Sequence, residues 1–353
     1  MINENRQKAL IAMSGGVDSS VAAFLAVSSG YEAIGSIMRL IDKNSDDEND
    51  ARSVSEKLGM DFVAFDFRKE FRQSVISRFI DEYRRGRTPN PCIYCNRSLK
   101  FGLLTDECDR LGAGYIVTGH YARVVFDGNS GRYLLLKGKE AAKDQSYVLY
   151  NLTQEQLSRV IFPLGELRKE AVREIAAAQG FVNSRKKDSQ DICFVPDGDY
   201  AGFIRSESGL VFEPGNYVTA SGEILGTHRG IINYTIGQRK GLGVALGHPV
   251  FVTGIRPNTN EVVLGPEKDL MKDVIYADEF NWIFCDSNRL PGEIRCCARI
   301  RYHAAEEPCT VTPTGDSTVR IVFDAQQRAP TPGQSVVLYD GDCCLGGGTI
   351  ISK

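Results

Sequence analysis

Nine residues near the N-terminus constrain this chain more than any other stretch: Ala12-Met13-Ser14-Gly15-Gly16-Val17-Asp18-Ser19-Ser20. The apolar run Ala9-Leu10-Ile11 precedes them and Val21-Ala22-Ala23-Phe24-Leu25-Ala26 follows. This order predicts a buried strand over 9–13, a glycine turn, and a helix over 17–29. Two glycines let the backbone turn tightly and approach an anion closely. The following helix points free N–H groups and its positive dipole end at the turn. Ser14, Ser19 and Ser20 add hydroxyl donors, so the stretch reads as a phosphate cradle. It is not a Walker A loop, which carries Lys after its second glycine; Val17 and Asp18 stand there instead.

From residue 8 to about 125, strand and helix signals alternate. Ala33-Ile34-Gly35-Ser36-Ile37-Met38 reads as a strand, Asn44 to Asp50 as an acidic disordered loop, and Asp50 to Leu58 as a helix. Asp61 to Phe67 reads as a strand, Glu70 to Arg84 and Leu99 to Leu111 as helices, and Tyr115-Ile116-Val117 as a strand ending at Thr118-Gly119-His120. Such alternation implies a doubly wound parallel sheet. Ligands of these sheets bind at the carboxyl ends of strands. Met13, Met38 and Gly119-His120 all lie at such ends and can share one crevice.

Helical signal continues from Gln154 to about Gln179, followed by a charge-rich loop from Asn183 to Asp191. After about residue 208 short alternating runs take over, among them Tyr217-Val218-Thr219, Val250-Phe251-Val252-Thr253, Glu261-Val262-Val263-Leu264 and Ser335-Val336-Val337-Leu338. These read as antiparallel β, with a break at Asp269 to Val274. The fold class is therefore α/β plus all-β. A length of 353 residues suits two or three domains, with expected limits of 1–207, 208–270 and 271–353.

A net charge of −3 argues against a generally basic, sticky protein, yet leaves room for a local nucleic-acid patch. No apolar run reaches membrane-spanning length and no signal-like apolar region opens the chain, so the expectation is a cytoplasmic protein without a membrane partner. Ten cysteines in a reducing compartment are expected to stay free. The pairs Cys296-Cys297 and Cys343-Cys344 fall in strand-like runs and read as structural, as does the single tryptophan, Trp282.

Two polar stretches hold cysteines of another kind. In Gly86-Arg87-Thr88-Pro89-Asn90-Pro91-Cys92-Ile93-Tyr94-Cys95-Asn96-Arg97 the prolines fix an extended loop before a Cys-x2-Cys. One such pair is weak evidence for a metal, because a tetrahedral site needs further ligands. The second stretch, Lys187-Asp188-Ser189-Gln190-Asp191-Ile192-Cys193-Phe194, places a cysteine in a charged loop.

Taken in order, AMSGGVDSSVAA, GRTPNPCIYCNRSLKFG, TGHYAR, KDQSYVLY, DSQDICFV, YTIGQRKGLG and LGGGTI span nearly the whole chain. The first resembles the SGGxDS loop of ATP pyrophosphatases, which split ATP to AMP and pyrophosphate. The full set resembles the tRNA-specific 2-thiouridylases, which replace O2 of the wobble uridine with sulfur. That resemblance implies an N-terminal ATP-pyrophosphatase domain, a small central β domain and a C-terminal β-barrel. It implies ATP held by Ala12, Met13, Ser14, Gly15, Gly16, Val17, Asp18 and Ser19, with Met38 and Gly119 at the adenosine end and Asp18 as a candidate Mg²⁺ partner. Cys95 matches the nucleophile and Cys193 the persulfide carrier. His120, Lys143, Asp144, Gln145, Arg301, Tyr302 and Gln334 match tRNA-contacting positions. The implied partners are the tRNA anticodon stem-loop and a sulfur donor such as a cysteine desulfurase or sulfur relay protein.

One position departs from that family. Its common pattern is Pro-Asn-Pro-Asp-x-x-Cys, and Cys92 stands here in place of the Asp. A thiol with a pKa of about 8.5 cannot simply replace a carboxylate near 4. Cys92, Cys95 and Cys193 together resemble the three-cysteine site of other tRNA thiolases, whose thiolates hold a 4Fe–4S cluster with one iron open. The expectation is an iron–sulfur variant; a Cys95/Cys193 persulfide route and a zinc site are the alternatives. Basic groups at Arg84-Arg85-Arg87, Arg97-Lys100, Lys137-Lys139-Lys143, Arg185-Lys186-Lys187 and Arg239-Lys240 suit RNA phosphates, or plain solvated surface. Two rival classes remain: an amide-forming ligase of the same ATP-pyrophosphatase type, and a non-catalytic RNA-binding or iron–sulfur module.

Overall fold

The computed structural model describes residues 7–42, 45–186, 192–315 and 317–352. Five parallel strands form the first sheet: β1 (Lys8–Met13), β2 (Glu32–Arg39), β3 (Asp61–Asp66), β4 (Tyr115–Thr118) and β7 (Val160–Ile161), in the order β3-β2-β1-β4-β7. The order reverses between β1 and β4, where a doubly wound sheet opens its ligand crevice. Side chains alternate across β1 as a pleated strand requires. Ala9, Ile11 and Met13 pack with Val21 and Ala22 of α1 (Val17–Ser28) and with Val172 and Ala176 of a later helix. Leu10 faces the other way, into Phe71, Phe79, Leu99 and Leu104.

Helix α2 (Ser45–Lys57) lies beside the sheet, α3 spans 68–84, and α4 spans 91–110. Both α3 and α4 contain a π-helical segment, at Arg72–Ile76 and Asn96–Leu103. Helix α5 is Lys169–Ala178 and α6 is Tyr200–Ser208. Among the described residues no helix is long and apolar enough to cross a membrane.

Two β units follow. Strands β8 (Gly215–Val218), β9 (Ile224–His228), β10 (Phe251–Arg256) and β11 (Glu261–Gly265) form a sheet in the order β10-β11-β8-β9 around Tyr217, Tyr234, Val252 and Val262. Strands β12 (Met271–Trp282), β13 (Ile294–Arg299), β14 (Glu307–Pro313), β15 (Val319–Arg328), β16 (Ser335–Asp340) and β17 (Cys343–Ile351) run in the order β12-β15-β14-β13-β16-β17. Pairing of β12 with β17 closes them into a six-stranded barrel, which leaves no free sheet edge among these strands. Trp282, Cys296 and Cys309 lie in its core, and Cys344 is fully buried.

Four local expectations are corrected. Ser45 to Asp50 is helical, not a disordered loop: Asp46, Asp47 and Glu48 occupy the first turn of α2, where acidic groups suit the helix dipole. The stretch 154–179 is not one helix, because Val160–Ile161 leaves it to become the outer strand beside β4. Strands β5 (Ala122–Asp127) and β6 (Arg132–Lys137) form an unforeseen hairpin. It extends the barrel sheet by pairing Leu135 and Leu136 with Cys344 and Cys343. The middle sheet is not wholly antiparallel, since β11 and β8 run parallel.

Candidate functional site

The glycine turn sits at the carboxyl end of β1, at the crevice. Gly15 adopts φ +68°, which glycine supplies without strain, and a Cβ there would strike the Asp47 backbone of α2. Gly16 caps α1. Ser19 binds the turn to itself, accepting from Ser14 N (3.1 Å) and donating to Gly16 O (2.9 Å). Asn183 donates to Gly15 O and Ser20 Oγ, both at 2.9 Å. Lys186 bridges Gly15 O (3.2 Å) to Asp47 and Asp50, both at 2.7 Å. Ala12, Met13 and Val17 are the apolar frame of this turn and Ser14 is exposed. Met38 is half-buried near the end of β2. Gly119 ends β4 against the turn; a Cβ there would lie 2.8 Å from Asp18 C and Ser19 N.

Asp18 has partners that the sequence did not announce. Lys169 Nζ lies 2.7 and 2.9 Å from its two carboxylate oxygens, and Tyr121 OH donates to Oδ1 at 2.9 Å. With both oxygens accepting from Lys169, Asp18 as placed does not offer a ready Mg²⁺ ligand. Lys169 opens the amphipathic stretch recognised in the sequence, but nothing there links it to a residue 151 positions away.

Pro91 starts α4 and the Asn90 side chain caps it by accepting from Cys92 N at 3.2 Å. The helix turns π-type at Asn96, which brings residues five apart onto one face. Lys100, five residues after Cys95, lies within electrostatic reach of Cys92, Cys95, Cys193 and His120. Cys95 lies within the same electrostatic reach of both other thiols. The cysteines of the two distant motifs therefore share one neighbourhood, and Phe194 anchors the second by packing on Phe71 and Phe79. Residues Lys187 to Asp191 of that motif lie outside the described residues.

Cys92 and Cys193 have open surface and Cys95 is half-buried. Burial nonetheless raises all three thiols above their ordinary range, Cys95 to about 12, while Lys100 pulls the other way. Surrounding protein displaces the water that would solvate a thiolate even where part of the residue stays open. Among the described residues no three His, Cys, Asp or Glu side chains gather closely enough to hold a metal ion. The donor set has the sulfur chemistry of an iron–sulfur site, but the three thiols as placed do not form a gathered ligand set.

Of the remaining expected residues, Tyr302 with Asp144 and Gln334 with Thr88 join the barrel to the first domain. His120 is buried, with Nδ1 2.6 Å from Thr118 Oγ1. Burial, aided by Lys100, holds its pKa well below the ordinary value. The Asp144 carboxylate turns inward to Gly138 N, Ser146 N and Ser146 Oγ. Gln145 Oε1 accepts from Tyr121 N at 3.0 Å, and Lys143 ends a short 3₁₀ turn. From the barrel, Tyr302 OH donates to Asp144 O at 3.2 Å and Arg301 to the carbonyls of Arg328 and Ala329. Gln334 Nε2 donates to Thr88 O at 2.8 Å. A cavity of about 740 Å³, lined by Arg84, Arg85, Arg87 and Lys272, opens at the junction of the three units, apart from the glycine turn and the thiols.

A doubly wound sheet with an SGGxDS turn at its switch point, a neighbouring thiol set and two docked β units define a HUP-domain enzyme of the ATP-pyrophosphatase type. Residues 7–197 match the family model described as the tRNA methyl transferase HUP domain. Residues 203–266 match the tRNA methyl transferase PRC-barrel domain and residues 272–350 the aminomethyltransferase beta-barrel domain. The chain is 48% identical over 358 residues to the tRNA-specific 2-thiouridylase MnmA of Carboxydothermus hydrogenoformans, covering 98% of each. It is 48% identical over 358 residues to the protein of that name from Lachnoclostridium phytofermentans (98% and 99% covered) and 47% over 355 residues to that of Clostridioides difficile (98% of each). The chain belongs to the tRNA-specific 2-thiouridylase family.

Proposed function

We propose that this enzyme uses ATP to 2-thiolate the wobble uridine of tRNA. A uracil carbonyl is a poor electrophile, so the oxygen must first become a leaving group. O2 attacks the α-phosphorus of ATP and pyrophosphate departs. A sulfur nucleophile then attacks C2, and AMP leaves with the former O2. The observation that carries this reading is a chain of adjacency. Gly119 abuts the glycine turn at Asp18–Ser19, and His120, next in sequence, shares Lys100 with all three thiols. This adjacency supports neighbouring places for adenylation and sulfur transfer. The turn supplies N–H groups and hydroxyls for phosphate, and magnesium arriving with ATP neutralises phosphate charge. The anticodon stem-loop enters with its target base unstacked, which a single-stranded loop permits at low cost.

The sulfur carrier has two readings, each with its own observation. Cys92 in place of the family's carboxylate supports a 4Fe–4S cluster on Cys92, Cys95 and Cys193, which would supply an open iron for hydrosulfide. The electrostatic contact of Cys95 with Cys193 supports a persulfide instead, which needs two cysteines only. In that route a partner such as a cysteine desulfurase or relay protein delivers sulfane sulfur to Cys193. The persulfide sulfur attacks C2 as AMP leaves. Cys95 thiolate then attacks Cys193 Sγ and breaks its bond to the transferred sulfur, which keeps the electron pair and stays on C2, and an external thiol reductant resets the Cys95–Cys193 disulfide.

The test is in vitro thiolation of tRNA with wild type and Cys92→Ala, beside iron and sulfide analysis of anaerobically purified protein. Iron and sulfide in equal amounts, lost together with thiolation in Cys92→Ala, establish the cluster. Iron-free protein whose Cys92→Ala variant stays active establishes the persulfide. Absence of 2-thiouridine with every sulfur source overturns the function itself.

A further inference from the structure

The loop leading to Cys92 and Cys95 is fastened at both sides before it reaches them. Gly86 has φ +68°, and a Cβ there would lie 2.7 Å from Ile255 Cγ2 of the middle domain. Thr88 Oγ1 lies 3.2 Å from Thr235 Oγ1 of that same domain. On the other side Thr88 N donates to Pro332 O of the barrel at 2.8 Å, and Gln334 Nε2 donates to Thr88 O at 2.8 Å. Gly333, at φ +91°, packs so closely that a Cβ would lie 2.9 Å from Thr88 N. Both backbone groups of Thr88 are thus satisfied by the barrel, and its side chain by the middle domain. Pro89, Asn90 and Pro91 then transmit the position rigidly, because two prolines leave few conformers between Thr88 and the first turn of α4.

We infer that residues 86–88 form a clasp by which the two β domains set the position of the Cys92–Cys95 turn, with Gln334 as a positioning residue for sulfur transfer. This deepens the thiolation reading and gives Gln334 a task other than contact with tRNA. Its amide is spent on the loop that carries the thiols, and the neighbouring Ile350 N donates to the Gln334 carbonyl (2.8 Å), fixing that side chain's base to β17. Displacing a reacting group by about 1 Å costs on the order of 100-fold in rate, so a clasp of this kind shows in turnover before it shows in affinity.

The test compares wild type, Gln334→Ala and Gln334→Glu, the last being of equal size but unable to donate to the Thr88 carbonyl. Three quantities are read: kcat and KM for tRNA in thiolation, tRNA dissociation constants, and the rate of Cys95 alkylation by iodoacetamide, followed by mass spectrometry without tRNA. The clasp predicts a kcat loss of about 10- to 100-fold in both variants. It also predicts a several-fold change in Cys95 alkylation, with KM and Kd for tRNA within about twofold. A weakened tRNA Kd at unchanged kcat and unchanged alkylation overturns it and makes Gln334 a tRNA contact; variants indistinguishable from wild type also overturn it. Wild-type protein that never thiolates tRNA would sink the thiolation reading alone, because the alkylation comparison still decides the clasp.

Discussion

Lys169 places its ammonium nitrogen between both carboxylate oxygens of Asp18, at 2.7 and 2.9 Å, across 151 residues of sequence. The pair ties α5 to the first turn of α1 directly beneath the glycine turn. Both side chains are less than a third exposed, so solvent screens the contact only partly. Replacing either partner leaves the other desolvated and half-satisfied, at a cost of about 1–2 kcal/mol. A denaturant-unfolding cycle on Lys169→Met, Asp18→Asn and the double variant is expected to give a coupling above about 0.5 kcal/mol. Strict additivity would show that the two do not support each other.

Gly119 is expected to tolerate no side chain. A methyl group there meets Asp18 C and Ser19 N at 2.8 Å, both backbone atoms that cannot swing aside. Overpacking of this kind costs about 1–3 kcal/mol. Here the strain falls on the glycine turn, the proposed phosphate cradle. Gly119→Ala is predicted to raise the KM for ATP by about tenfold while tRNA binding is retained. An unchanged ATP titration would mean the turn can shift freely.

The first domain was largely legible because its signals are local. Ala9-Leu10-Ile11 before two glycines and a run of small residues after them leave few readings but strand, turn and helix. The β5–β6 hairpin was not legible, since Val125 and Phe126 are exposed in it and its half-buried alternation resembles loop. Acidic residues at 46–48 suggested disorder, although Glu48 is gripped by Arg39 and Arg52 and helps start α2. At the site, motifs pointed to the cysteines and to the glycine turn as candidates. Their partners Lys169 and Asn183, and the contact of Gln334 with Thr88, became visible only in three dimensions, because a contact between residues 150 or more positions apart leaves no trace in spacing. Lys100 is intermediate: its five-residue offset from Cys95 has meaning only once the segment is π-helical.

Two buried histidines set an acid limit. Burial lowers the pKa of His120 well below 6.5 and that of His228 below it as well. Neutral His228 accepts from Gly230 N at Nδ1, a bond the protonated ring cannot make. A histidine with a depressed folded pKa adds stability that is fully present above about pH 6.5 and fades as pH falls toward the folded value. Thermal unfolding is therefore expected to be flat from pH 7 to 8 and to drop below about pH 6.5. His228→Gln should blunt the drop. A melting temperature that rises on acidification contradicts this assignment.

The Cys95 thiol, pushed up to about 12, should stay protonated at neutral pH in the isolated protein. Its alkylation by iodoacetamide is expected to climb steadily with pH without a plateau below pH 10, since only thiolate reacts. Lys100→Ala removes the charge that partly offsets burial and should slow the reaction further, by several-fold. A plateau near pH 8, or faster labelling in Lys100→Ala, would place Cys95 in a different environment.

The most direct measurement couples both halves of the proposed chemistry. Purified protein is incubated with tRNA, ATP and a sulfide or persulfide source, AMP is quantified, and the tRNA is digested for nucleoside mass spectrometry. The expected result is 2-thiouridine at the wobble position and AMP in equal amounts, both dependent on tRNA, with 2-thiouridine abolished in Cys95→Ser. AMP formed without 2-thiouridine, or undiminished 2-thiouridine from Cys95→Ser, would contradict it.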